Sequence, residues 1–383
     1  MSIRGKAYIV GSYEHPDRVI PDKSVNQIHA EVAIAALNDA GLKLSDVDGY
    51  FYTGTLSMGG TATAEYLGLN NLSYLDTTMT GGSSPVFHLG HAAAAIAAGK
   101  CKVALVTLAA RPRSERQNRG QPNPEASFEQ VFGTNTITMY ALAAQRHMYE
   151  YGTTSEQLAW VKVAASRHAQ YNPHAFLQKV VTVEEVLASR LLSDPLHLLD
   201  TCVVTDSGGA VVLASPEVAK SLGRTSVKLL GQGEAVKHGN NGRIDLTHTG
   251  AVWSGPRAFA EAGVTPADIN YASIYDSFTI TVIETLEDLG FCEKGKGGQF
   301  VADAGLQVHE GKLPVNTDGG GLCNNHPGMG GMMKILEAVR QLQGTAQPEV
   351  QVPNCRLALV HGTGGSLGTR MGSATVILGQ EDA

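Results

Sequence analysis

Ala40-Gly41-Leu42 followed by Ser45-Asp46-Val47-Asp48-Gly49-Tyr50 is matched, 222 residues later, by Ala262-Gly263-Val264 followed by Ala267-Asp268-Ile269-Asn270-Tyr271-Ala272. Each run follows an alanine-rich amphipathic segment, residues 27–38 in one case and 256–261 in the other. Each ends in an apolar, β-like run, residues 49–52 and 271–274. The pattern predicts a helix stopped by glycine, a short loop and a buried strand, written twice.

Working outward, two more pairs keep the same order. Residues 86–99 read as an apolar helix leading into a strand at 102–108, and residues 330–343 lead into a strand at 356–361. The strand at 209–214 corresponds to that at 374–379. Helices alternating with buried strands predict mixed α/β layers, and three ordered matches predict a duplicated fold. The first half is expected to span 1–225 and the second 226–383, with a polar, helical insertion at about 111–199.

Composition sets the class. Hydrophobic residues make up 43% and charged residues 17% of the 383, a globular balance with net charge −7. No basic tract or nucleic-acid-binding motif is present. Residues 1–10 alternate like a strand rather than a signal peptide. The longest apolar run, 92–110, is broken by Lys100 and Lys102 and reads as helix then strand, not as a membrane span. The five scattered cysteines form neither a disulfide framework nor a metal pattern, which predicts a reducing cytoplasm. His88 and His91 share a helical face without further ligands, so no metal is expected.

Four motifs carry chemistry: Thr205-Asp206-Ser207-Gly208-Gly209-Ala210; Tyr275-Asp276-Ser277-Phe278; Gly319-Gly320-Gly321-Leu322-Cys323-Asn324-Asn325-His326-Pro327-Gly328; and His361-Gly362-Thr363-Gly364-Gly365. In this order, on a duplicated frame, they resemble the thiolase superfamily, nearest the sterol carrier protein-x type thiolases and the lipid-transfer-protein aldolases. The resemblance spans nearly the whole chain. It implies a thiolase-like fold, two βαβαβαββ halves in five layers, α-β-α-β-α, with an inserted loop domain. It also implies a homodimer, coenzyme A as part of the substrate with no resident cofactor, and a possible small OB-fold/zinc-ribbon partner protein.

The same resemblance locates a departure. Thiolases place a nucleophilic cysteine at the start of a buried helix, fourteen residues before an isoleucine followed by x-x-Gly. Here that isoleucine is Ile96, and the position falls on Gly82 in Gly81-Gly82-Ser83-Ser84-Pro85. A helix N-terminus would stabilise a thiolate, but no thiol is there. Ser83 lacks an evident base and is expected to cap the helix or line the pocket. The missing side chain at Gly82 leaves space for substrate.

The resemblance makes His326 the oxyanion or proton-transfer histidine and Tyr275 an oxyanion-hole or acid/base partner, with Asp276 beside them. His361 replaces a second thiolase cysteine and is the nearest titratable group there. Gly364 is expected to offer backbone amides, and Cys323 to line the pocket. Arg111, Arg113 and Arg116 form a basic stretch suited to the phosphates of coenzyme A. Three functions fit: retro-aldol cleavage of a β-hydroxyacyl-CoA, favoured by the absent cysteine; thiolase-type acyl transfer, as in an acetyl-CoA acetyltransferase; and a non-catalytic acyl-CoA- or lipid-binding subunit.

Overall fold

The repeated motif shows why each half begins as it does. In the computed structural model, which describes residues 2–54, 56, 58–115, 131–240, 243–368 and 370–382, Ser24 and Gln27 form a reciprocal capping box at the start of helix α1 (Val25–Ala40). The helix stops at Gly41, whose φ of 73° suits a residue without a Cβ. A helix at Ala251–Ala262 stops in the same way at Gly263, with φ 67°. Each glycine leads into a single 3-10 turn, Leu44–Asp46 and Pro266–Asp268. The acids of the motif hold these turns: Asp46 accepts from Lys43 N at 2.8 Å, and Asp268 from Thr265 N at 2.8 Å. The next polar residue ties the following strand to its neighbour. Asp48 Oδ1 accepts from Lys102 and Val103 N, both at 2.8 Å, and Asn270 Oδ1 from Arg356 and Leu357 N, both at 2.9 Å.

The strands are β1 (Tyr8–Glu14), β2 (Gly49–Thr53), β3 (Tyr74–Asp76), β4 (Val103–Ala110), β5 (Leu191–Ser193), β6 (Leu196–His197), β7 (Ser207–Ala214), β8 (Val227–Lys237), β9 (Tyr271–Ile274), β10 (Leu357–Gly364) and β11 (Met371–Gln380). Nine of them form one mixed sheet in the order β3-β2-β4-β7-β1-β8-β11-β10-β9. Among the described residues, the two halves of that order join where Tyr8 and Ile9 pair with Lys228 and Val227, with Gly5 N and Ala7 O bonded to Leu229 beside them. The first strand starts later than the sequence pattern suggested, because the chain turns at Gly5, φ 66°, with Lys6 N bonded to Ile3 O.

Helices of nine residues or more, among those described, are α1, α2 (Gly59–Leu67), α3 (Ser84–Ala97), α4 (Thr136–Tyr151), α5 (Ser155–Ala169), α6 (Ala251–Ala262), α7 (Thr279–Asp288) and α8 (Gly331–Gln343). Three apolar cores alternate with the sheet halves. α1 and α2 cover the outer face of β3-β2-β4-β7-β1. α3 and α8 fill the space between the two half-sheets. α4 to α7 pack on the outer face of β8-β11-β10-β9. The result is the expected α/β, α-β-α-β-α layering, with α4, α5, a short helix at Val183–Leu187 and the β5–β6 hairpin lying between β4 and β7.

The candidate active site

Three chain segments meet at the inner layer. The turn Gly81–Ser83 leads into α3, which carries Pro85 in its first turn. Strand β9 ends at Ile274 and delivers Tyr275, whose N–H donates to His361 O at 3.0 Å. The glycine-rich segment 316–330 returns to the start of α8.

Tyr275 and His326 form the centre. The Tyr275 hydroxyl lies 2.8 Å from His326 Nε2, with the rings edge to face. The same oxygen accepts from Gly330 N–H at 3.0 Å. Tyr275 is 5% exposed, whereas His326 is partly exposed. Desolvation lowers the His326 pKa to about 4, against a smaller opposing pull from Asp276. Burial likewise raises the Tyr275 phenol, against the Gly330 bond. At neutral pH both groups are uncharged, a hydroxyl set against an imidazole.

The phenol also explains Gly82. A Cβ at Gly82 would lie 2.2 Å from the Tyr275 oxygen and 2.5 Å from its ring carbon Cζ. The space expected for substrate is therefore filled by the protein's own tyrosine. No side chain fits at residue 82 while the ring stays where it is.

The other expected residues divide. Ser83 is fully buried and directs its hydroxyl back to Thr80 O and Thr80 Oγ1, both at 2.9 Å, so it neither caps α3 nor meets a base. Asp276 is a buried hub: it accepts from Gly321 N at 2.8 Å and Leu322 N at 3.2 Å and pairs with Lys334 Nζ at 2.6 Å. It thereby holds the turn that leads to His326. Gly364 serves close packing, since a Cβ there would meet Thr80 O at 1.7 Å.

Three expectations are corrected. His361 belongs to the opposite face of the sheet: its Nδ1 bonds Thr375 Oγ1 at 2.8 Å, which bonds Ser254 of α6 at 2.8 Å. Successive residues of a strand face opposite ways, and Gly362 is the one that touches Val86 and Ser83. Burial lowers the His361 pKa to about 3, with Nε2 unpartnered. Cys323 does not line the site. It is fully buried, and Lys162 Nζ donates to its sulfur at 3.2 Å from α5; burial raises its pKa, outweighing Lys162. Arg111 pairs with Glu115 at 3.3 Å. Arg113 donates to Val204 O at 3.1 Å and stacks on Phe176. Both are engaged within the chain, and Arg116 lies outside the described residues.

Gly330 and Thr205 were missed as site residues. Thr205 Oγ1 accepts from the His326 backbone N–H at 2.9 Å; its only signal was membership of the Thr-Asp-Ser-Gly motif. Among the described residues, no cluster of three or more His, Cys, Asp or Glu could hold a metal, and no helix is long and apolar enough to cross a membrane.

Comparison with known proteins accords with this geometry. Residues 233–380 match the thiolase C-terminal domain-like family. A steroid side-chain-cleaving aldolase of Thermomonospora curvata is 34% identical over 344 residues, covering 85% of this chain and 87% of that one. An acetyl-CoA acetyltransferase of Methanothermobacter thermautotrophicus is 33% identical over 361 residues, covering 91% and 93%. The solved structure of an Ltp2-ChsH2(DUF35) aldolase superposes with a TM-score of 0.90 at 32% identity, covering 99% of each chain. The order of motifs, the duplicated five-layer frame and these relatives together make the chain a member of the thiolase superfamily, in its sterol carrier protein-x thiolase and lipid-transfer-protein aldolase branch.

Proposed function

We propose that the protein is a coenzyme A-dependent carbon–carbon lyase that cleaves β-hydroxyacyl-CoA thioesters by retro-aldol chemistry. The observation that carries this is the Tyr275 phenol standing where a nucleophile's side chain would have to be, 2.2 Å from a Cβ at Gly82. Acyl transfer needs a covalent nucleophile at that place; retro-aldol cleavage does not.

The β-hydroxyl gives its proton to the Tyr275 oxygen as the phenolic proton passes to His326 Nε2. The electrons of that O–H bond form the new carbonyl. Those of the Cα–Cβ bond move into the thioester as an enolate, and the proton held on His326 returns through the Tyr275 oxygen to Cα, which releases the shortened acyl-CoA and leaves both groups as they began. Gly330 N–H steadies the phenol oxygen at 3.0 Å while charge develops on it. The N-terminal end of α3 supplies positive potential to the enolate oxygen.

Coenzyme A enters as part of the substrate, with no resident cofactor. The chain works as a homodimer; Leu75 on the open edge strand β3, with Met58, Tyr66 and Met79 nearby in sequence, leaves apolar side chains exposed in support. A small OB-fold/zinc-ribbon partner completes the coenzyme A site. The partner-containing aldolase structure supports this, as does the internal engagement of Arg111 and Arg113. The five free thiols suit the cytoplasm. The chain divides near residue 225, with 111–199 as the inserted loop domain. Incubating the protein with a panel of β-hydroxyacyl-CoAs, with and without such a partner, and following products by mass spectrometry tests the reading. Release of a ketone or aldehyde with a shortened acyl-CoA supports it. Cleavage of a 3-ketoacyl-CoA that requires free coenzyme A and leaves an acylated enzyme overturns it.

A further inference from the structure

His326 belongs to the second half, but the atoms that fix it come largely from the first. Its backbone N–H donates to Thr205 Oγ1 at 2.9 Å, and its carbonyl accepts from Thr205 N at 3.4 Å. The Thr205 hydroxyl donates in turn to Asn325 Oδ1 at 2.7 Å. Asn325 Nδ2 donates to Glu14 Oε1 at 2.9 Å and Ser207 Oγ at 3.0 Å. Glu14 is held by Arg18 at 2.7 Å and by Arg340. Arg18 also donates to Asn324 Oδ1 at 2.8 Å, and Asn324 Nδ2 to Asp318 at 2.8 Å. Thr205, Asn324, Asn325 and Ser207 are all at most 1% exposed. A hydroxyl that accepts from one residue and donates to the next uses both of its roles, and a buried network satisfied in this way is rigid.

We propose that Thr205 and Asn325 are positioning residues for catalysis: through the Glu14–Arg18–Arg340 lattice of the interior they fix the height of His326 against the Tyr275 hydroxyl. They touch no reacting atom. They set the geometry of the bond across which the proton moves, and a displacement of about 1 Å at such a bond costs on the order of 100-fold in rate. This inference rests on the retro-aldol reading for its kinetic arm, but not for its spectroscopic one.

Thr205→Val keeps the shape and removes the hydroxyl; Thr205→Ser keeps the hydroxyl. Both are compared with the parent by 15N NMR of histidine-labelled protein, with His326 assigned by its loss in His326→Gln, and by steady-state kinetics on the cleaved β-hydroxyacyl-CoA. In Thr205→Val the His326 Nε2 resonance is expected to move toward the value of a ring nitrogen without a partner. kcat is expected to fall ~10- to 100-fold with KM changed less than about threefold. Thr205→Ser restores both. An unmoved Nε2 resonance in folded Thr205→Val, or a Thr205→Ser variant as impaired as Thr205→Val, overturns the proposal. A moved resonance in a protein whose parent cleaves no β-hydroxyacyl-CoA leaves the positioning role standing and removes the retro-aldol reading instead.

Discussion

Thr53 and Tyr275 occupy the same place in the two halves, at the same offset of 222 that relates their strands. Each closes a strand of the repeat, and each bonds a histidine: Thr53 Oγ1 lies 3.1 Å from His88 Nδ1, Tyr275 Oη 2.8 Å from His326 Nε2. The first pair is sealed, with Thr53 and His88 both fully buried. The second has a longer side chain and a histidine that is partly exposed. Equivalent strand ends thus each carry a hydroxyl bonded to an imidazole, but the histidines come from different places, His88 from within α3 and His326 from the loop before α8, and access separates the sealed pair from the reactive one.

The largest expected effect tests that contrast directly. Tyr275→Phe and His326→Ala should each lower kcat by ~10²–10⁴, with a stability loss of only about 1–2 kcal/mol through the bonds removed. Thr53→Val should leave kcat within about threefold and cost about 1 kcal/mol in stability through the lost buried bond. Denaturant melts and kinetics on the same preparations check both. A Thr53→Val enzyme as slow as Tyr275→Phe would erase the distinction.

Gly82 sharpens it. Gly82→Ala and Gly82→Cys place a Cβ against the Tyr275 ring and should cost ~1–3 kcal/mol in stability and, by displacing the phenol about 1 Å, on the order of 100-fold in turnover. Neither should gain thiolysis. Gly82→Cys combined with Tyr275→Ala has room for the sulfur. Acylation of the single Gly82→Cys variant by acetyl-CoA would show that the ring yields easily and would undo the steric account.

His361 gives a smaller effect of the opposite kind. His361→Asn should cost on the order of 1–2 kcal/mol through the Thr375 bond, with kcat unaltered. None of the five cysteines should be required for turnover, and Cys323→Ala is the sharpest case, because Cys323 lies only three residues from His326.

The smallest effect is in pH. Burial lowers the pKa of His326 and His88 to about 4 and of His361 to about 3, below the ordinary 6.5. The unfolded chain then binds more protons than the folded one, so stability is full above about 6.5 and declines as pH falls toward 4. His91 runs the other way. Its bonds to Asp76 and Glu234 raise it to about 10, so its contribution is full below 6.5 and lost as pH rises through 10. Melting curves from pH 4 to 10.5 should show both limbs, and the acid limb should be shallower in His361→Asn.

Much of the frame was legible because the duplicated motif is made of residues with backbone duties. Gly41 and Gly263 stop helices, Asp46 and Asp268 hold turns, and Asp48 and Asn270 clamp neighbouring strands. Such roles fix residue type locally, so a sequence displays them. The pairing of Tyr275 with His326 followed from motif order. The filling of the Gly82 space did not, since a glycine records an absence and says nothing of which distant ring occupies it. The orientation of His361 was not legible: successive side chains of a strand face opposite ways, but nothing local says which face meets the site. Thr205 and Asn325 act through bonds between segments more than 100 residues apart, which no local pattern encodes.

The phenol seated over Gly82 also constrains descent. A cysteine at 82 and a tyrosine at 275 crowd one another, whereas a glycine at 82 beside a smaller residue at 275 leaves only a void. A path between a thiolase-like pair at these positions and the present one is therefore least obstructed when the sulfur goes before the ring arrives. Reversal is hindered in the same sense, because restoring the cysteine alone meets the ring.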